Sequence, residues 1–315
     1  MEKKETRGLA QAIKLCENLC KVRLSGWNGY ELQTLIDALK LKKRLQVLDI
    51  NRNSLSDKDC DSFCYLPEFI EMLQEWPELR SVTVWMDTVD RDDDGFLSDA
   101  DEEKAAKANQ VIPGACHKLR RFDWQSGCLE ERHLAAVAQI APSLSEFQLT
   151  ESEGDMMTRQ DLLVPLQLWA PRLTHFGLNF YEDAYSWTVP SNDTRLSVDY
   201  YLDDMISAMP LLCVLDISSM YLKPATLSHR FTALTILDYR ITAKELDEFI
   251  SILSDPTALP SLSELSLSPR IGKEKFDGNL LDNIHALCRS RGVTIRDRFY
   301  RRMLELGVVY DLGNF

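Results

Sequence analysis

A hexamer with large apolar residues at its first, fourth and sixth positions occurs nine times in this sequence. The fullest copy runs from Leu45 to Leu55 and reads LxxLxLxxNxL. The other copies begin at Leu19, Leu79, Leu119, Leu144, Leu173, Leu212, Leu234 and Leu262. Their starts are unevenly spaced, so the length of the unit varies while the hexamer stays constant. Such recurrence predicts a stack of similar units, because no single unit can bury its own apolar strip.

Each hexamer is predicted to form a strand, since its fourth and sixth residues point to the same side. Stretches with helical periodicity precede five of the copies, and they are Glu68–Trp76, Arg132–Ile140, Leu162–Trp169, Leu202–Met209 and Ala243–Leu253. Strands that repeat in one direction with helices between them must be parallel. The predicted fold is therefore an α/β, right-handed solenoid of nine to ten irregular repeats, with a curved parallel sheet inside and helices outside.

Proline stands two residues before the first leucine in five copies, as Pro77, Pro142, Pro171, Pro210 and Pro260. These P-x-L sequences and the LxxLxLxxNxL phrase resemble the leucine-rich-repeat (LRR) superfamily, and most of all the repeat portion of fungal-type F-box/LRR proteins. The LRR resemblance implies a non-enzymatic protein-binding scaffold. The F-box/LRR resemblance implies substrate recognition, with ubiquitin-ligase components as partners. The segment before the first repeat, which ends at Asn18, holds no F-box sequence. An F-box needs about 40–50 residues to fold, so we expect a module without one.

One domain is predicted for residues 1–315, because no linker rich in Gly, Ser or Pro interrupts the chain. Residues 1–18 are predicted to form an N-terminal cap with a helix over Leu9–Leu19. Residues 19–295 hold the repeats and end in a strand at Gly292–Ile295. Residues 296–315 are predicted to form a C-terminal cap with a helix at Phe299–Leu306. A stacked repeat exposes an apolar side at each end, so both ends need such covers.

The formal net charge of −13 argues against nucleic-acid binding and against anionic membrane surfaces. No apolar run approaches the ~18 residues that span a bilayer, and the first residues do not resemble a secretory signal. We therefore expect a cytoplasmic or nuclear protein. The cysteine pairs Cys16/Cys20 and Cys60/Cys64 lack the CxxC spacing of structural zinc, so we interpret them as small buried apolar residues.

No catalytic residue is predicted, because the five histidines accompany no nucleophile–base motif. A GTPase-activating LRR protein is a remote alternative. Proteins of that group resemble one another in having regular units of about 28–29 residues, whereas the units here are irregular, and no arginine stands in a recognisable catalytic setting.

An acidic insert at residues 87–103 holds nine acidic residues and one arginine, and it follows the third repeat strand. Its core resembles the calcium loop of an EF-hand, in a variant that ends in aspartate as dockerin loops do. Carried over by position, the ligands are Asp90, Asp92, Asp94, the carbonyl of Phe96, and Asp101. A solvated acidic loop without a metal is the simpler interpretation. No cofactor is therefore expected, with calcium binding at residues 90–101 as the alternative.

The third, fifth and seventh positions of the hexamer point away from the core on the inner wall. A partner is predicted to bind there, because extended concave surfaces are the typical binding sites of solenoids. Trp85 is the one large aromatic residue of the set, and exposed tryptophans are frequent anchors at interfaces. The predicted partner-binding residues are Arg23, Asp49, Asn51, Thr83, Trp85, Arg121, Asp123, Gln148, His175, Asn179, Asp216, Asp238 and Arg240.

Overall fold

A computed structural model of the chain provides the three-dimensional description. It describes residues 3–25, 32–51, 64, 66–86, 111–126, 131–151, 159–180, 202–219, 221–227, 231–269 and 277–296. Tertiary contacts divide the chain into two compact units. Unit 1 takes in Met1–Leu173 with Phe180–Glu182, and unit 2 takes in Thr174–Asn179 with Asp183–Phe315. The prediction of a single domain is not tested by this division.

Unit 1 alternates helices and parallel strands in chain order. Its described strands are β1 (Lys21–Ser25), β2 (Val47–Asn51), β3 (Ser81–Met86), β4 (Arg121–Ser126) and β5 (Glu146–Glu151). Its described helices are α1 (Lys3–Leu15), α2 (Leu32–Lys40), α3 (Leu66–Gln74), α4 (Glu131–Ile140) and α5 (Arg159–Trp169), followed by a 3₁₀ turn at Ala170–Arg172. Each strand pairs with the next one along the chain, as parallel repeats require.

Unit 2 has the same alternation, and several of its described helical segments are short 3₁₀ helices. Its described strands are β6 (His175–Phe180, of which His175–Asn179 lie in this unit), β7 (Val214–Ser218), β8 (Ile236–Ile241), β9 (Glu264–Pro269) and β10 (Thr294–Ile295). Its described helices are α6 (Leu246–Ser254) and α7 (Gly278–Ser290), with 3₁₀ helices at Asp203–Ala208, Pro224–Leu227 and Ala243–Glu245. The strand predicted at Gly292–Ile295 is confirmed as β10.

The predicted α-helix at Leu202–Met209 is wrong, because that segment forms a 3₁₀ helix. The next repeat, from Leu212 to Leu234, is the shortest of the set, and its described residues include no α-helix. It forms a short 3₁₀ helix at Pro224–Leu227 instead. The Asp203 carboxylate accepts hydrogen bonds from Thr226 Oγ1 (2.7 Å) and from the Lys223 amide (3.3 Å), which ties the two short helices together.

The N-terminal helix lies earlier than predicted, at Lys3–Leu15 instead of Leu9–Leu19. Its end coincides with the buried ammonium group of Lys42, which donates to the carbonyls of Lys14 (3.0 Å) and Cys16 (2.9 Å). Carbonyls in the last turn of a helix lack intrahelical donors, so a donor from the next repeat fixes where α1 ends. The predicted C-terminal helix at Phe299–Leu306 lies outside the described residues.

Backbone hydrogen bonds hold the repeats in register where each strand begins. In seven of the nine hexamers, as far as the structure describes them, the carbonyl of the second residue accepts two amides from the following repeat. The Gln46 carbonyl, for instance, accepts from Arg80 (2.8 Å) and Ser81 (3.1 Å), and the Thr235 carbonyl accepts from Ser263 (2.9 Å) and Glu264 (3.0 Å). These bonds involve only main-chain atoms, so the second hexamer residue can be of any type.

The hexamer leucines and their partners form the core of each unit. All of their first, fourth and sixth positions are buried except Leu19, Leu24 and Leu267, which are half-buried. Aromatic residues replace aliphatic ones in the middle of unit 1. There Phe122 stacks on Phe147 and lies edge-on to Trp124, with ring centroids 6.4 Å and 5.2 Å apart. Such pairs add to the free energy gained by burial.

Side chains of one repeat also donate hydrogen bonds to carbonyls at the end of the preceding helix. In unit 1 the indole of Trp76 donates to the Leu39 carbonyl and that of Trp169 to the Ala141 carbonyl, both at 3.0 Å. In unit 2 the guanidinium of Arg291 donates to the carbonyls of Leu253 (3.0 Å) and Ala258 (2.6 Å). These three helix ends are thus fixed by the repeat that follows them. None of the helices in the described ranges is long and apolar enough to cross a membrane.

Candidate functional site: the outward strand faces

The fifth-position residues of unit 1 stand in one row across the described strands. Strand pairing aligns Arg23 with Asp49, Asp49 with Thr83, Thr83 with Asp123, and Asp123 with Gln148. Neighbouring strands lie about 4.8 Å apart, so the row is about 19 Å long. The structure therefore brings these five predicted site residues together on one face. Asn51, also predicted, ends β2.

Charges of opposite sign are paired along this row. Arg23 Nε lies 2.6 Å from Asp49 Oδ2, and the arginine side chain is 67% exposed while the aspartate is 13% exposed. Arg121 lies farther from its partner, with 3.9 Å between its NH2 atom and Asp123 Oδ2. Burial raises the pKa of Asp123. Arg121 and a hydrogen bond from Gln125 lower that pKa, and the charge of Asp49 raises it further.

Trp85 lies beside Thr83 on the same face of β3, because residues two apart on a strand share a side. Its indole is half-buried, and strand pairing sets it opposite Gln125. A partly exposed tryptophan next to polar groups provides apolar area that a protein partner can cover. The outward face of unit 1 thus combines charged, hydroxyl, amide and aromatic groups.

The outward face of unit 2 has a different centre. Its fifth-position row aligns Gly177 with Asp216, Asp216 with Asp238, and Asp238 with Ser266. Two aspartates therefore stand directly opposite each other on adjacent strands. Below them the third-position row holds the exposed His175 followed by Val214 and Ile236, both half-buried.

Polar contacts surround the two aspartates. Asn179 Nδ2 donates to Asp216 Oδ2 at 2.5 Å, and Arg240 NH2 lies 3.7 Å from Asp216 Oδ1. The same Arg240 nitrogen donates to the Leu178 carbonyl at 2.9 Å. Arg240 is therefore bound mainly to the main chain of β6, and it approaches the carboxylate only at a longer distance.

Two side chains in this area are absent from the predicted set. Ser266 is 4% exposed, and Glu264 forms an ion pair with Arg296. Both occupy outward hexamer positions, so the signal that identified Asp216 and Asp238 was available for them as well. Serine is small and glutamate is common on exposed strands, so neither residue type gave a reason to select these two positions.

The predicted calcium loop lies outside the described residues, as does the rest of the acidic insert, so that alternative stays a prediction. Its proposed ligands are Asp90, Asp92, Asp94, Phe96 and Asp101. In the part of the chain that is described, no three His, Cys, Asp or Glu side chains are grouped so that they could hold a metal ion.

The interpretation of the two cysteine pairs as buried apolar residues is confirmed for Cys64, and Cys60 lies outside the described residues. Cys64, Cys116 and Cys288 are buried, and burial raises their thiol pKa values, to about 12 for Cys116 and about 11 for Cys288. Cys16 and Cys20 are exposed, which contradicts that interpretation for this pair. They follow α1, where the chain turns into β1 at the edge of the described sheet.

Parallel strands in sequential order, repeated apolar hexamers and helices on the connecting side define an α/β leucine-rich-repeat fold. The predicted fold class is therefore confirmed. No family model matches the chain, and no curated protein matches it. The fold assignment rests on the strands and their pattern.

Distant likenesses are found among solved LRR structures. The leucine-rich-repeat-containing protein LegL7 from Legionella pneumophila is 14% identical, with 88% of this chain and 93% of that chain covered and a TM-score of 0.37. Rad7, solved in complex with Elc1 in yeast, is 11% identical, with 96% and 90% covered and a TM-score of 0.36.

Proposed function

We propose that this chain is a non-enzymatic protein-binding scaffold whose partner lies on the outward strand faces. One observation carries the proposal, the in-register row from Arg23 to Gln148 across the described strands of unit 1. The opposite side of the same strands is the buried core, so a partner meets only the outward set. A typical interface buries about 800 Å² on each partner, and a row about 19 Å long spans most of the width of such a patch.

Arginine substitutions on the strand faces test this proposal. Thr83→Arg in unit 1 and Ile236→Arg in unit 2 each place a long charged side chain on an outward face. Gln139→Arg on α4 and Asn283→Arg on α7 make the same change at exposed helix positions. Proteins captured by each variant from a native lysate are compared with those captured by the wild-type chain by quantitative mass spectrometry.

We expect at least one partner to be lost with a strand-face substitution and retained with both helix controls. The expected loss is about tenfold or more, because an unmatched charge in an interface costs over 1 kcal/mol. The proposal is refuted if both strand-face variants capture the same proteins as the wild-type chain. Thermal unfolding of all four variants confirms that each one is folded.

Within this class, we propose substrate recognition of the F-box/LRR type. Its support is the sequence resemblance carried by the P-x-L prolines and the LxxLxLxxNxL phrase. Pull-down with a purified ligase adaptor protein tests it. Binding supports the finer proposal, and failure to bind leaves a protein-binding scaffold outside that pathway.

A further inference from the structure

Asp216 and Asp238 form an unusual feature of the unit 2 face. Their strands are adjacent and in register, so their main chains are about 4.8 Å apart. Like charges opposite each other on a sheet destabilise it. The outward positions of β6–β9, as far as the structure describes them, hold three carboxylates, Asp216, Asp238 and Glu264, and one arginine, Arg240. Arg296 pairs with Glu264 and Arg240 lies 3.7 Å from Asp216, so two arginines face three carboxylates in this area.

Ser266 gives a second and independent observation beside this pair. It is the cross-strand neighbour of Asp238 and is 4% exposed. Its hydroxyl oxygen has no hydrogen-bond partner among the described residues. A buried polar group without a hydrogen-bond partner destabilises the fold. By strand alternation the hydroxyl shares the face of the two carboxylates, where a bound donor would satisfy it.

The surroundings favour a long cationic side chain over a free ion. Val214 and Ile236 are half-buried and lie on the same two strands, two residues before the aspartates. Lysine and arginine place their aliphatic stems on such apolar surface while the charged end reaches a carboxylate. On the opposite flank of the row, Gly177 is buried and adds no side chain next to Asp216.

An unsatisfied hydrogen-bond donor on Arg240 indicates that the ligand is a peptide. Its Nε atom is buried and has no hydrogen-bond partner within the described ranges. This donor needs an acceptor, which a metal ion or a free amine does not supply. A main-chain carbonyl of a bound peptide supplies one, next to the cationic side chain that the carboxylates attract.

We infer that Asp216 and Asp238, flanked by Ser266, receive a lysine or arginine side chain of a protein partner on the unit 2 face. The inference rests on the proposed scaffold function and names the chemistry of the partner. The partner segment is basic and bears an anchor cation. Its aliphatic stem packs on Val214 and Ile236, and its charged group donates to the carboxylates and to Ser266 Oγ.

Peptides selected from a random dodecamer phage library on the immobilised full chain provide the probe. The D216N/D238N double variant removes both charges and keeps the side-chain size. The matched control is D247N/D282N, which removes the same charge from exposed positions on α6 and α7. Affinities of the recovered peptides, synthesised without phage, are measured by fluorescence anisotropy at two salt concentrations, and thermal unfolding checks that each variant is folded.

We expect the recovered peptides to share a lysine or arginine anchor. Their affinity should fall about tenfold or more with D216N/D238N, because a hydrogen bond to a charged group is worth over 1 kcal/mol, and should stay within about twofold with the helix control. Replacing the anchor lysine with norleucine should weaken binding to the wild-type chain and leave the D216N/D238N affinity unchanged. Ser266→Ala should lower affinity less than the aspartate pair does.

Three results would overturn the inference. The first is recovery of peptides that share no basic anchor. The second is an equal loss of peptide affinity in the two double variants. The third is peptide binding that disappears when EDTA removes divalent cations. If a lysate partner is lost with Thr83→Arg while peptide binding is insensitive to the aspartate pair, only this inference fails. If no strand-face variant loses any partner, the scaffold proposal itself fails.

Discussion

The described part of unit 1 holds three buried tryptophans, of which two donate an indole hydrogen bond and one does not. Trp76 and Trp169 donate to carbonyls of the preceding repeat, whereas Trp124 Nε1 has no partner among the described atoms. Trp76 and Trp124 are both fully buried and allow a matched comparison. Because the cavity left by phenylalanine is similar at the two sites, the hydrogen bond should decide the difference in the cost of substitution.

We predict that Trp76→Phe lowers the free energy of unfolding more than Trp124→Phe does. The expected difference is about 1 kcal/mol, the net contribution of the hydrogen bond from Trp76, because the Leu39 carbonyl still accepts from the Lys42 amide. Urea unfolding followed by circular dichroism measures both values. Equal costs would mean that the indole hydrogen bond contributes nothing net.

The raised pKa of Asp123 predicts that the free energy of unfolding depends on pH. Burial raises its pKa above that of an unfolded aspartate, so the folded chain holds the proton more tightly. Stability therefore falls as pH rises from the unfolded to the folded pKa, and the loss is complete above the latter. Asp123→Asn should stabilise the chain at pH 7, by about 0.5 kcal/mol as is usual for partly exposed sites.

The advantage of Asp123→Asn should shrink as pH is lowered through the folded pKa, where the parent side chain becomes neutral as well. Urea unfolding of parent and variant at a series of pH values measures this difference. The control is Asp37→Asn on the exposed side of α2, which should change the free energy of unfolding only slightly. A difference between Asp123→Asn and the parent that stays constant down to acid pH would contradict the prediction.

At the scale of elements, the ends of helices depend on their neighbours. Lys42, 7% exposed, donates to the Lys14 and Cys16 carbonyls at the end of α1. Lys42→Met keeps the length of the side chain and removes these donors. We predict a loss of about 1–3 kcal/mol in the free energy of unfolding and faster hydrogen exchange in the last turn of α1 than in the first turn of α2.

Lys14→Met is the matched control, because Lys14 lies on the exposed side of the same helix. It should change stability by only a few tenths of a kcal/mol through the helix dipole. Hydrogen exchange read by mass spectrometry distinguishes the two. Similar exchange in α1 for both variants would show that Lys42 does not hold the helix end.

At the scale of the whole molecule, β1–β9 were predictable because each of them carries its own apolar hexamer, whereas the short β10 was predicted from the sequence Gly292–Ile295 alone. The helices over Glu68–Trp76 and Arg132–Ile140 were predictable within two residues for the same reason, namely an apolar stripe of helical period. The 3₁₀ helix at Asp203–Ala208 was not, and the contact that holds it, from Asp203 to Lys223 and Thr226, lies in the short repeat after it. Local periodicity contains no information on the length of a neighbouring unit.

The candidate site was predictable as a set of positions and not as a set of contacts. Alternation identifies Asp216, Asp238 and Trp85 as outward residues. The proximity of Asn179 to Asp216 and the burial of Ser266 depend on strand register and on the packing of adjacent repeats. The exposure of Cys16 and Cys20 depends likewise on where α1 ends.

The paired amides on most of the second-position carbonyls explain how this chain tolerates such variable connections. The longest unit, from Leu79 to Leu119, contains the acidic insert, yet β3 and β4 pair along their whole length without a shift. Alignment is set where the strands begin and is independent of loop length. Natural variation can therefore lengthen a connection, or shorten it as between Leu212 and Leu234, and so acquire new surface chemistry while the strand ladder stays unchanged.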